Sequence, residues 1–170
     1  MPDEVVVPGK TGAASPDAEA NGFVRHVFVY GTLRRGGSND ITRCRPLPQF
    51  VGHAHIAGTL YDLGAYPGAV LGVLGDASCG GKQRADHGGL IHGEIYRITK
   101  AVEAELDLLE EVRDDGGGEY VKREIELVLS GSGPRTEAGA MTLRCLVYEI
   151  HPSRVTGRAV IESGDWFRCR

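Results

Sequence analysis

The sequence predicts a β-rich α+β domain whose sheet is closed or partly closed. Two observations predict it. Five stretches read as strands and only one as a helix. Glycine makes up 25 of the 170 residues, about twice the ordinary share, with no G-X-Y period, which points to many tight turns and close backbone approaches.

Residues 1–22 hold Pro, Gly, Ala, Ser, Asp and Glu with no aromatic residue, so this stretch has no face to bury and reads as a flexible tail. A single domain is expected from 23 to 170. Its first strand is Val27-Phe28-Val29-Tyr30, an apolar, β-prone run stopped by Gly31. Gly58–Leu63 is a second strand and Leu90–Ile98 a third, with Ile91, Gly93 and Ile95 on one face and His92, Glu94 and Tyr96 on the other. The intervening Gly72–Gly89 is a long polar loop. Thr99 to about Val112 is the helix. Thr99 caps it, Val102, Leu106, Leu109 and Val112 recur at helical spacing, and an Asp-Asp-Gly-Gly-Gly run ends it. Tyr120–Leu129 alternates as a strand, and Met141–Ile150 is its antiparallel partner across a Gly131–Gly139 turn.

Composition excludes several function classes. Nineteen Lys and Arg against 23 Asp and Glu leave a net charge of −4, which argues against a nucleic-acid partner. No run of 18 apolar residues is present to cross a membrane. The N-terminus, Met-Pro-Asp-Glu-Val, lacks the pattern of a signal peptide. Cys44, Cys79, Cys145 and Cys169 lack metal-site spacing and read as the reduced thiols of a cytoplasmic protein. His53 and His55 would share one side of a strand, but no third ligand has a convincing spacing, so no metal is expected. Gly80-Gly81-Lys82-Gln83 fails as a phosphate loop, because Asp76 stands where a glycine is needed and Gln83 where Ser or Thr is.

Two places could carry chemistry. In Tyr30-Gly31-Thr32-Leu33-Arg34-Arg35-Gly36-Gly37 a glycine directly after a buried strand lets successive N–H groups converge on an anion or a developing oxyanion. The bland alternative is a turn with two solvated arginines. On the helix, Glu110 lies about 40° round from Leu106 and Glu111 about 140°. Glu110 therefore sits at the edge of the packing face and Glu111 in solvent. A partly desolvated carboxylate there can act as a base near neutrality; alternatively it merely covers the core with its stem.

The same residues resemble a known family. Val27–Gly36 is similar to the opening strand and loop of the gamma-glutamylcyclotransferase-like family. Further similar stretches follow in order: Leu60–Leu63 with Tyr66–Val70, His92–Ile98, Leu106–Glu110, Glu119–Arg123, and the ending Glu162–Trp166, which resembles small bacterial members. The resemblance implies a small mixed β-barrel flanked by few helices. It implies release of 5-oxoproline and an amine or amino acid from a small γ-glutamyl compound, without cofactor or metal. By position it makes Glu110 the acid/base, with Glu94 a weaker competitor. It makes Tyr30, Gly31, Thr32, Leu33 and Tyr120 substrate-binding. A non-catalytic small-molecule binding protein on the same fold is the alternative.

Overall fold

The computed structural model describes residues 22–72, 89–113, 115–129 and 142–169. The expected tail, Cys79, most of the polar loop and the Gly131–Gly139 turn lie outside them. Chain order is β1 (Phe23–Val29), β2 (Gln49–Asp62), β3 (Pro67–Leu71), β4 (Leu90–Thr99), α1 (Lys100–Leu109), β5 (Tyr120–Val128), β6 (Thr142–Ile150) and β7 (Ala159–Val160). Single turns of 3-10 helix stand at Ile41–Arg43, Pro152–Arg154 and Trp166–Arg168.

The strands form one mixed sheet in the order β3-β2-β4-β1-β6-β5, with β7 added to β2. β1 runs parallel to β6, through His26–Cys145 and Val27–Leu146; the other pairs are antiparallel. The sheet curls into a half-barrel. Across the curl, the Leu71 N–H of β3 donates to Glu149 Oε1 of β6 at 3.0 Å, and Gly68 packs on Ile150.

The Val27–Val29 end of β1 is buried on both faces, which is why that run is continuously apolar rather than alternating, whereas Arg25 upstream is exposed. Val27 and Val29 pack with Tyr96, Ile98, Leu146 and the buried side of α1. Phe28 and Tyr30 join Ile56, Ile91, Ile95, Val147 and Trp166 in a second core. The helix starts at Thr99, whose hydroxyl accepts the Val102 N–H at 3.3 Å. It docks through Val102 and Leu106, both fully buried, each contributing on the order of 1.5–3 kcal/mol by leaving water. The C-terminal segment is tied to the sheet. Ile161 N–H donates to the Leu60 carbonyl at 2.8 Å and His92 N–H to the Gly164 carbonyl at 2.9 Å.

Four boundaries differ from the sequence reading. β1 begins at Phe23, four residues before Val27, because its pairing with β4 continues to Thr99. β2 begins at Gln49, nine residues before Gly58, because it pairs with β4 from Arg97 to Leu90 through a register shift between Phe50 and Gly52. Its first half is poor in apolar residues since His53 and His55 face solvent while Ala54 and Ile56 face the core. Pro67–Leu71 is a strand that periodicity did not reveal; it is only five residues long and opens with proline. The helix ends at Leu109, short of Val112. Glu110 is its C-cap, and Glu111 turns the chain with φ of 50°, a left-handed conformation uncommon outside glycine.

Candidate active site

A cavity of about 240 Å³ opens where the end of β1, the start of β3, the end of α1 and the start of β5 meet. The turn after β1 forms one part of its wall. The carbonyls of Gly31, Thr32 and Leu33 are engaged within the loop, by the N–H groups of Arg34, Asn39 and Ile41. Among the described residues no protein group accepts from the three N–H groups of Gly31, Thr32 and Leu33. All three residues line the cavity, and unengaged donors there fit an anionic oxygen.

The turn is held from behind. Glu94 on β4, 5% exposed, accepts the Arg35 N–H at 3.0 Å, the Tyr96 hydroxyl at 2.9 Å and Arg34 Nε at 3.4 Å. Arg34 also pairs with Asp165 at 2.8 Å and lies over the Phe167 ring. Arg34 is thus a buried strut between the sheet and the C-terminal segment, not the solvated side chain of the bland reading; Arg35 is exposed. Glu94 does not line the cavity. Its carboxylate is fully engaged in positioning the turn.

Glu110 lines the cavity from the end of α1. Its backbone N–H closes the helix on the Leu106 carbonyl at 2.9 Å. Its carboxyl has no hydrogen-bond partner among the described residues. Burial, reinforced by the Glu119 carboxylate, pushes that carboxyl up to about 7. Such a group is divided between acid and base at neutral pH, which suits proton transfer in both directions. Glu111 is exposed, as expected, yet it too lines the cavity.

Tyr30 and Tyr120 line the same cavity, and their hydroxyls are engaged with the protein. The Tyr30 hydroxyl donates to the Tyr148 carbonyl at 2.7 Å and accepts the Ala69 N–H at 3.2 Å. The Tyr120 hydroxyl donates to the Pro67 carbonyl at 2.8 Å. Burial raises the phenols of Tyr30, Tyr120 and Tyr148, with the Glu110 carboxylate adding to it, so all three stay neutral. They hold β3, β5 and β6 around the cavity. Sequence reasoning missed Glu119, Tyr66 and Tyr148 as members of the site. Tyr66 donates to Glu119 Oε1 at 2.7 Å, across 53 residues of chain, and nothing local to either residue signals that meeting.

The sequence profile of "Gamma-glutamyl cyclotransferase, AIG2-like" matches residues 27–168. The chain belongs to this family. It is 34% identical over 142 residues to the gamma-glutamylcyclotransferase family protein YtfP of Escherichia coli K12, covering 82% of this chain and 94% of that one. A putative gamma-glutamylcyclotransferase of Vibrio cholerae is 42% identical over 88 residues, 51% of this chain and 62% of that one. Among solved structures, the solution structure of E. coli ytfP superposes with a TM-score of 0.50 at 34% identity, covering 85% of this chain and 99% of that one. An aig2-like protein from Mus musculus shares the fold, with a TM-score of 0.53 at 23% identity over 81% of this chain and 86% of that one. Among the described residues, no set of three His, Cys, Asp or Glu is placed to hold a metal ion, and no helix is long and apolar enough to cross a membrane.

Proposed function

We propose that this chain is a γ-glutamylcyclotransferase that closes the γ-glutamyl group of a small substrate into 5-oxoproline and releases an amine. The observation that carries the reading is the Glu110 carboxyl, unpartnered among the described residues and raised to about 7, in a cavity also lined by Gly31–Leu33, whose N–H groups are unengaged among those residues. Family membership supports it.

In this reading the substrate's α-ammonium, with a pKa near 8, first loses a proton. Glu110 takes it. The freed amine attacks the side-chain carbonyl, forming the ring C–N bond. The bond to the departing nitrogen breaks as Glu110 returns its proton to that nitrogen, and the second proton of the ring nitrogen passes to the departing amine, which leaves as its ammonium. Loop N–H groups hold the α-carboxylate or the oxyanion, each such donor lowering the barrier by about 3 kcal/mol where it meets developing charge. Enclosure of amine and carbonyl in attack geometry supplies much of the remaining acceleration, with no cofactor required. Incubation of the purified protein with γ-glutamyl amino acids and γ-glutamylamines, followed by quantification of 5-oxoproline, tests the proposal. Release that disappears in Glu110→Gln supports it; the absence of release from every compound rejects it.

A further inference from the structure

The turn after β1 is closed by a residue that does not line the cavity. The Arg34 N–H donates to the Gly31 carbonyl at 3.1 Å, and the Arg34 carbonyl accepts the Gly37 N–H at 2.8 Å. The Arg34 main chain thus closes the turn over Gly31, Thr32 and Leu33. Its side chain, 12% exposed, runs to the C-terminal segment instead. There Asp165 Oδ1 accepts Nη1 at 2.8 Å, while Glu94 Oε1 accepts Nε at only 3.4 Å. The shorter contact makes Asp165 the stronger hold on the guanidinium.

Asp165 is itself fixed from both sides. Gly164 before it has a φ of 62° and lies so close to the Leu90 carbonyl that no β-carbon fits. The Gly164 carbonyl accepts the His92 N–H at 2.9 Å. Trp166 after it is buried in the second core, and the Phe167 N–H donates to Asp165 Oδ1 at 3.1 Å. Burial opposes the charge, yet Arg34 and the Phe167 N–H hold the carboxyl below the usual carboxylate range. A fixed carboxylate on the sheet therefore grips the planar fork of Arg34, and a gripped Arg34 fixes the turn. Resting on the γ-glutamyl reading above for its functional consequence, we propose that Asp165, outside the cavity, is a positioning residue. Through Arg34 it holds the N–H groups of Gly31–Leu33 in the orientation that meets the substrate's anionic oxygen.

Amide NMR spectra of the folded, isotope-labelled protein read the turn without turnover. Asp165→Asn keeps an acceptor for the Phe167 N–H and removes the charge. The amide signals of Gly31, Thr32 and Leu33 are expected to move in Asp165→Asn. They should stay in place in Arg168→Gln, which removes an exposed ion pair to the same carboxylate. With the best-released γ-glutamyl compound of the panel above, kcat/KM should fall about tenfold or more in Asp165→Asn. Its acid limb should not move, because Glu110 sets that limb. Arg34→Lys keeps the charge without the fork and should show the same displaced signals and the same loss. It also keeps the test open if Asp165→Asn fails to fold. The double variant should lose no more than either single one, since both act through one contact. Unmoved signals, signals moved as far by Arg168→Gln, a kcat/KM within about twofold of wild type, or losses that multiply overturn the proposal. If the wild type releases 5-oxoproline from no compound, the cyclotransferase reading fails, and the amide signals alone decide the positioning.

Discussion

Glu94 Oε2 accepts the backbone N–H of Arg35 at 3.0 Å, so a buried carboxylate on the central sheet fixes the turn whose preceding residues line the cavity. The two glutamates that the sequence offered as candidate bases therefore stand in opposite situations. Glu94 is surrounded by donors, and Glu110 has none among the described residues. This contrast leads to opposite expectations for the same substitution at the two sites.

Glu94→Gln is expected to destabilise the domain by about 2 kcal/mol, the scale of a lost charge-assisted hydrogen bond near a buried cation. Arg34 would keep Asp165 as its partner, which limits the loss. Urea unfolding at neutral pH measures it. A change below about 0.5 kcal/mol would show that the Glu94 charge does not hold the turn.

Glu110→Gln is expected to stabilise the domain in alkali. The carboxyl sits near 4.5 when unfolded and is raised to about 7 when folded. The folded state thus binds the proton more tightly. Its stabilising effect is complete below the unfolded value and is lost as pH rises through 7. By pH 8 the wild-type protein has lost on the order of 3 kcal/mol that the glutamine variant retains. Thermal melts at pH 4 and pH 8 should show the variant matching wild type at the lower pH and exceeding it at the higher. A gap that is the same at both values refutes the raised pKa.

The acid limb of kcat/KM should follow Glu110, with an apparent pKa near 7. Burial is the larger cause of that position and the Glu119 carboxylate the smaller. Glu119→Gln removes a negative neighbour, so the limb should move to lower pH while remaining above the ordinary carboxylate range. In the complex, the substrate's α-ammonium favours the ionised carboxylate, placing the limb of kcat below that of kcat/KM. The substrate's own titration is measured separately and subtracted. An unmoved limb in Glu119→Gln would dissociate the two carboxylates.

Gly31→Val is expected to abolish ligand binding through a clash. A β-carbon at this position would stand 2.6 Å from Cγ and 2.9 Å from Cδ of Pro67. Gly31 is not among the glycines with positive φ, so the cause is the approach of β3 and not a forbidden dihedral. The substitution drives β3 away from the turn and deforms the wall between them. Calorimetric titration with 5-oxoproline should give no measurable heat; wild-type affinity would refute the close approach as a requirement.

Much of this protein was legible in its sequence because the responsible interactions are short in range. The Thr99 cap and the spacing of Val102 and Leu106 act within two turns of helix, and they placed α1 and the edge position of Glu110. Alternation and apolar runs located β1, β4, β5 and β6, since each strand's faces are set by its own two-residue period. The quoted stretches also carried the family. What the tertiary structure decided depends on groups far apart in the chain. Arg34 reads as a solvated side chain until Glu94 and Asp165, 60 and 131 residues away, enclose it. β3 exists only as the partner of β2, and the sheet is a half-barrel because its end strands β3 and β5 are not paired, β3 instead touching β6 across the curl through Glu149 and Gly68. The Glu110 carboxyl reaches neutrality through burial and the nearby Glu119 carboxylate. Sequence spacing can position a carboxylate on a helix, but its desolvation and neighbours arise from packing between distant segments, and these determine its chemistry.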